Sequence, residues 1–269
     1  MDAGSFLYGD GMSLLEVYLS VAVHTLPFEA AEEGAAVSAQ VDVAVYAASG
    51  EESAAPEAEH EQRIDLRFEV AEAAQASTER EHMEQIRVPL PPGEYDVVAR
   101  VAVRGERATS DVWLRGVEVP DYDPASGAAI SSVQLASSIA RAEGEAADFV
   151  KSGLEIQPNP RAVYAVGEGA SGGMRSVPYY AEVYGVDGVL SAGQYTVLAY
   201  LAPADSSEPM PLHQQRTRRP VRPVDVVVGR FDISDLPTGT YWLRVVALDA
   251  SGKPVAERGQ KLRVVNPNR

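Results

Sequence analysis

Residues 90–103 read LPPGEYDVVARVAV, and residues 236–248 read LPTGTYWLRVVAL. Both begin Leu-Pro-x-Gly-x-Tyr and run straight into a stretch in which every second residue is apolar. In the first copy that phase is Tyr95, Val97, Ala99, Val101 and Val103; in the second it is Tyr241, Leu243, Val245 and Ala247. A period of two describes a β-strand with one face on a core and the other in water. A Pro-Gly turn before it reverses the chain. A tyrosine directly after such a turn suits the tyrosine corner of sandwich folds, in which the ring enters the core and the hydroxyl bonds back to the turn backbone. Gly93, Tyr95, Gly239 and Tyr241 are therefore expected to be architectural. A partial third copy, Leu190-Ser191-Ala192-Gly193-Gln194-Tyr195, also precedes a strand.

The same alternation extends outward from these two phrases. It runs through Leu15–Val23, Val37–Val45 and Ile64–Val70, and a closing strand is expected around Val112–Val119. In the second half, strands are expected at Arg161–Val166, Pro178–Tyr184, Tyr195–Leu201, Val224–Phe231, Tyr241–Leu248 and Gln260–Val265. Residues 71–85 read as a solvated loop or short helical excursion, and 131–148 fits either a strand or a helical turn. Antiparallel strands at this spacing, with no βαβ rhythm, predict an all-β chain of two tandem immunoglobulin-like or fibronectin-III-like antiparallel sandwiches. The expected limits are 1–120 for the first, 121–130 for a Pro- and Asp-rich linker, and 131–269 for the second.

Composition narrows the function classes. The formal net charge of −16 repels phosphate backbones, so nucleic acid is not an expected partner. Only three lysines occur among many acids and alanines, a pattern that suggests a salt-adapted source. The absence of cysteine excludes disulfides and thiolate chemistry. No apolar run approaches the roughly 18 residues of a membrane helix.

Several motifs imitate chemistry. Gly167 to Gly172 spells G-x-G-x-x-G with Asp187 further on, but Met174–Tyr180 contains Pro178 and makes a poor helix for a dinucleotide site. The same loop spells G-x-S-x-G around Ser171, followed by Asp187 or Asp205 and then His213. A nucleophile elbow needs an α/β sheet, so a hydrolase is the least favoured reading. His24, His60, His82 and His213 are scattered, and no metal or cofactor is expected. Asp121, Asp123, Ser126 and Gly127 faintly resemble an acidic calcium loop but lack the bidentate glutamate. Arg216, Arg218, Arg219 and Arg222 form the one basic cluster, read as an exposed hairpin loop with some capacity to dock on an acidic surface.

Several segments resemble, in order, bacterial GWxTD-domain-containing proteins. They are FLYGDGMSLLEVYLSV (6–21) followed by Leu26-Pro27-Phe28, SSVQLASSI (131–139), GLEIQPNP (153–160), YAEVY (180–184), and FDISDLP (231–237) with Gly239 and Tyr241. The Gly-Trp-x-Thr-Asp string itself is absent; the only tryptophans are Trp113 and Trp242. The resemblance implies β-sandwich modules of exported, envelope-associated proteins and transfers no catalytic residue. The expected function is a non-catalytic protein-interaction or structural module, its partner another envelope protein or a missing C-terminal domain. The alternative, a carbohydrate- or small-ligand-binding sandwich, requires exposed aromatics, for which Tyr179, Tyr180, Tyr184 and Trp242 are the candidates.

Overall fold

The computed structural model describes residues 1–9, 11–30, 35–48, 58–70, 81–103, 109–143, 149–167, 174–190, 193–206 and 208–267. It is an all-β protein. Its strands are β1 (Asp2–Gly9), β2 (Met12–Ala22), β3 (Glu29–Ala30), β4 (Ala35–Ala47), β5 (His60–Val70), β6 (Glu81–Leu90), β7 (Gly93–Val103) and β8 (Thr109–Val119). They continue with β9 (Ala129–Ile130), β10 (Gln134–Arg141), β11 (Val150–Lys151), β12 (Leu154–Pro158), β13 (Val163–Ala165) and β14 (Ser176–Tyr184). The last are β15 (Gln194–Pro203), β16 (Gln214–Pro220), β17 (Val224–Asp232), β18 (Gly239–Leu248) and β19 (Pro254–Val265), with a single helical turn at Val186–Val189. Among the pairs made by β3–β5 and β7–β19, pairing is antiparallel except for β13, which runs parallel to β19.

The chain forms two compact units, residues 1–3 with 14–120, and residues 4–13 with 121–269. In the first, β4 is flanked by β5 on one side and by β7 on the other, β7 is followed by β8, and β3 adds two residues to β4. A second layer pairs β2 with β6. The core is what the alternation dictates: Leu15, Val17 and Leu19 of β2 and Ile86, Val88 and Leu90 of β6 meet Val41, Val43 and Val45 of β4 and Tyr95, Val97 and Ala99 of β7. Each fully buried Val or Leu contributes about 1.5–3 kcal/mol. Residues 81–85, read from sequence as the end of a helical excursion, belong to β6. The alternation of Ile86, Val88 and Leu90 extends upstream of the Pro-Pro-Gly turn and wins over a helix whose apolar positions are mostly alanine. Residues 71–80 lie outside the described residues. Glu16, on the polar phase of β2, is only 1% exposed and accepts bonds from Tyr18 Oη and, at 3.1 Å, from Arg87 Nε.

The second unit has one sheet in the order β11-β12-β10-β14-β17, with β9 beside β14, and another in the order β13-β19-β18-β15-β16. Val177, Tyr179, Ala181 and Val183 of β14 share its core with Val197, Leu201, Leu243, Val245 and Leu262.

Two expected boundaries change. Residues 4–13 were assigned with the first sandwich, but Ser5 and Phe6 are buried in the second unit. The outer phase of β14 carries Tyr180, Glu182 and Tyr184, and this N-terminal strap meets them. Leu7 N donates to Tyr184 Oη at 3.1 Å, Ser5 N to Ser132 Oγ at 2.9 Å and Ser132 N to Ser5 O at 3.0 Å. Residues 121–130 are not an extended exposed linker. Tyr122 is 2% exposed, stacks edge-on against Tyr184 at 5.1 Å and shares a 2.7 Å bond with Ser5 Oγ, while Ile130 joins the core. Proline and acid content masked a segment anchored by one aromatic side chain.

Candidate functional site

The two Leu-Pro-x-Gly-x-Tyr phrases have the same geometry. Tyr95 Oη donates to Pro91 O at 2.8 Å and Tyr241 Oη to Pro237 O at 2.9 Å. The glycine two residues before each tyrosine lies under its ring. A Cβ at Gly93 would meet Tyr95 Cε2 at 3.3 Å, and one at Gly239 would meet Tyr241 Cε2 at 3.4 Å. Tyr195 differs: its hydroxyl donates to Asp225 Oδ2 at 2.6 Å.

That aspartate reorganises the arginine cluster. Residues 214–220 form the edge strand β16 rather than a loop, paired with β15 so that Arg219 lies opposite Tyr195. Arg219 turns inward. Its Nε and Nη2 bind Asp225 Oδ2 and Oδ1 at 2.5 and 2.8 Å, and Nη2 also donates to Val226 O at 2.6 Å. Gln215 Nε2 donates to Arg230 O at 2.6 Å. Both carbonyls belong to β17, the edge of the opposite sheet, so side chains of one edge satisfy backbone of the other and blunt it against strand addition. Arg216, Arg218 and Arg222 stay exposed.

The residues of the other sequence motifs are placed as follows. Ser171 and residues 168–173 lie outside the described residues. His213, 6% exposed, bonds Asp235 Oδ1 at 3.2 Å, whereas the motif spacing had offered Asp187 or Asp205. Asp121 accepts from Asp123 N at 2.9 Å and Ser126 Oγ at 2.6 Å, and Asp123 accepts from Ala125 N at 2.9 Å, so these carboxylates cap a short turn at 124–126. Among the described residues no group of three or more His, Asp or Glu is placed to hold a metal ion. Tyr179, Tyr180 and Tyr184, proposed as glycan-facing aromatics, are at most 2% exposed. Trp242 is half-buried, with Arg244 and Lys261 at 5.2 and 5.0 Å from its ring.

An open aromatic surface does exist, on the first unit. The polar phases of β5, β4, β7 and β8 form the outer face of that sheet, with Tyr46 one residue past the core position Val45. Across β7 and β8, Arg100 is in register with Asp111 and Val98 with Trp113. Trp113 is 42% exposed, while Val98, its partner on the same face, is only 8% exposed. The rings of Tyr46 and Trp113 are 6.4 Å apart and 24° from parallel.

A bulge fixes the indole. Register slips between Tyr95 and Val97, and Gly116 opposite takes φ 63°, a left-handed conformation that glycine adopts without strain. The bulge sends Gly116 N to Asp96 Oδ1 at 3.0 Å and Arg115 Nη1 to Asp96 Oδ2 at 2.5 Å, and it places the Arg115 guanidinium 3.8 Å above the Trp113 ring.

Arg63, Arg100 and Arg115 on this face each have an acid partner. Arg100 holds Asp111 through two bonds of 2.9 Å, and Arg63 Nε holds Asp42 at 2.6 Å, with Gln40 adding 2.9 Å. The Arg63 bond holds the Asp42 carboxyl below its usual range, and Arg100 does the same for Asp111. For Asp96, partial burial pushes upward, but Arg115 and the Gly116 N–H outweigh it. Between the aromatic pair and these ion pairs lies a solvent-open hollow of about 470 Å³ with Ala44 and Val98 among its lining residues. A second, separate hollow of about 540 Å³ lies further along β4 beside Ser38 and Gln40.

Sequence reasoning passed over Tyr46 and Trp113. The available signal was phase: Tyr46 continues the polar register of Ser38, Gln40, Asp42 and Ala44 and must point outward with them.

No family model matches the chain, and no curated protein matches it. Among solved structures, it is similar to the crystal structure of red sea bream transglutaminase at 13% identity and a TM-score of 0.25, over 94% of this chain. The match spans 28% of that chain, and nothing of that protein's activity is carried over.

Proposed function

We propose that this chain is a non-catalytic, envelope-associated interaction module built of two tandem immunoglobulin-like or fibronectin-III-like sandwiches, related to the N-terminal region of GWxTD-domain-containing proteins. The recognition surface is the outer face of β5-β4-β7-β8. One observation carries this reading: Trp113 stands 42% exposed beside Tyr46 on an otherwise polar sheet face, held in place by Arg115. Aromatic and arginine side chains dominate the binding energy of interaction surfaces, and a pre-positioned ring loses little conformational entropy on binding. By contrast, the edge of the second unit at β17 is occupied by side chains of β16. The exposed Arg216, Arg218 and Arg222 form a subsidiary contact for an acidic surface.

The test places a photoreactive residue at Glu61, which pairs with Ala44 on the outer face and lines the hollow, and another at Leu212, 86% exposed on the second unit. Each full-length protein is incubated with envelope fractions of the source organism. The expected result is a discrete adduct from position 61 that disappears when Trp113→Ala is added and does not form from position 212. Identical adducts from both positions, or an adduct indifferent to Trp113→Ala, refute the assignment. The alternative of a carbohydrate- or small-ligand-binding sandwich gains support from the same face, through the hollow beside the two rings.

A further inference from the structure

We infer that the hollow beside Tyr46 and Trp113 is a binding site for an uncharged saccharide chain. This deepens the reading of that face as a recognition surface and rests on it.

Three features select the ligand class. First, β4 and β7 are interior strands, hydrogen-bonded on both sides over residues 39–45 and 95–102 respectively. Their backbone is already used by the sheet, so an extended peptide lying on this face finds no main-chain ladder to join. Recognition has to come from side chains. Second, the arginines of this face are paired: Arg63 with Asp42, Arg100 with Asp111, and Arg115 with Asp96, while Glu61 and Asp65 also line the two hollows. An anionic ligand would have to break these pairs and approach those carboxylates. A neutral polyol can add hydrogen bonds to them, because each carboxylate and guanidinium has more than two hydrogen-bonding positions. Third, the hydrogen-bonding groups border two nearly parallel rings, 24° apart. A pyranose ring has the matching amphipathic form: C–H groups on one face for the aromatic surface and hydroxyls around the rim for the polar groups. Concave sites that combine apolar aromatic surface with a few fixed polar groups are the usual form of small-ligand pockets, and a hollow of about 470 Å³ is in their size range. The second hollow further along β4, beside Ser38 and Gln40, gives a chain a further place to lie beyond a single sugar.

The arrangement is also pre-organised. Val98 and Ala44 are small enough to leave a depression, and the Gly116 bulge aims Arg115 at Asp96 and at the indole together. Little has to move for a sugar to dock, and salt has little to screen.

The test titrates the full chain with neutral hexasaccharides (cello-, chito-, malto- and mannohexaose), following tryptophan emission and isothermal heat. At least one is expected to bind saturably. Trp113→Ala is expected to weaken it about tenfold or more, Tyr46→Ala by a smaller factor, and Trp242→Phe to leave it unchanged. Raising salt is expected to change the affinity by less than about twofold. Far-UV circular dichroism checks that each variant is folded, and Trp113→Phe, which keeps a ring, is expected to retain part of the affinity. Silence from the whole panel to millimolar concentration overturns the inference, as does binding that ignores Trp113→Ala. If the panel is silent while the position-61 adduct is a protein and still requires Trp113, the recognition face stands and its saccharide ligand does not.

Discussion

Asp225 is the residue whose removal should cost the second unit most for its size. It is 4% exposed and accepts three bonds, two from Arg219 and one from Tyr195. Asp225→Ala leaves the Tyr195 hydroxyl, on a residue only 2% exposed, without its acceptor. An orphaned buried hydroxyl costs about 1–3 kcal/mol. Arg219 also loses its partner, but its side chain is 27% exposed and keeps the Val226 carbonyl, so water and backbone recover part of the loss. The sum is about 2–4 kcal/mol, at or below the range of about 3–5 for breaking a buried pair. Asp225→Asn keeps an acceptor and should cost about half as much. The pH dependence follows from the same contacts. Burial pushes the Asp225 carboxyl upward, but the Arg219 and Tyr195 bonds outweigh it and hold it below its ordinary value. A carboxyl depressed in the folded state contributes fully above its unfolded pKa of about 3.9, and the contribution is lost as pH falls through the folded value. Urea titrations of wild type, Asp225→Asn and Asp225→Ala in a Trp113→Phe background, read by Trp242 emission, report the second unit alone. The gap between wild type and Asp225→Asn should be constant from about pH 7 to 5 and shrink below about pH 4. A cost under about 0.5 kcal/mol for Asp225→Ala, or a gap that stays constant down to about pH 3, would refute the account.

Three further outcomes follow from individual contacts. Tyr95→Phe and Tyr241→Phe each remove one tyrosine-to-turn hydrogen bond and should lower the stability of their own unit by about 1 kcal/mol, read separately by Trp113 and Trp242 emission; no loss in either variant counts against the corner. A Cβ at Gly229 would fall 2.6 Å from Tyr179 Cζ and 2.7 Å from its Cε1, so Gly229→Ala must push that ring off its 5.7 Å stack with Phe231; calorimetry should show about 1–3 kcal/mol lost, and Tyr179→Leu in the same chain should recover part of it. With a net charge of −16, self-repulsion should fall as salt rises, so the urea midpoint should climb between about 0.05 and 2 M potassium chloride; a flat response disposes of salt adaptation.

Most strands were legible because period two is enforced residue by residue wherever one face is buried. Val41, Val43 and Val45 or Leu243, Val245 and Ala247 leave no other register. Features decided between distant segments were not legible. The strap at residues 4–13 looks like the start of the first sandwich, since its apolar Phe6 and Leu7 run on into β2. What assigns it to the second unit is a set of side-chain bonds to Ser132, Tyr122 and Tyr184, more than 110 positions away. β16 was hidden for a related reason. Gln-Gln-Arg-Thr-Arg-Arg-Pro has no apolar phase, because an exposed edge strand owes its conformation to β15 and to Asp225 rather than to its own burial. The aromatic candidates failed through phase. Tyr180 and Tyr184 do lie on the outer phase of β14, as a ligand-facing pair would, but Glu182 accepts both hydroxyls and the strap meets Tyr184.

The two units treat an outward-facing tyrosine in opposite ways, and the difference is what favours the first unit for the proposed recognition face. On β14 the outer rings are at most 2% exposed and their hydroxyls are bonded to Glu182, so no aromatic surface is left to a ligand. On β4 the corresponding position, Tyr46, has a neighbouring ring in Trp113 and a hollow beside it. Water solvates an apolar ring face poorly, and leaving one 42% exposed forgoes burial energy that packing elsewhere in this chain recovers. The Gly116 bulge adds an arginine that steadies the ring from one side and is not itself among the residues lining the hollow, which suits a surface kept open for a partner rather than one left over from folding.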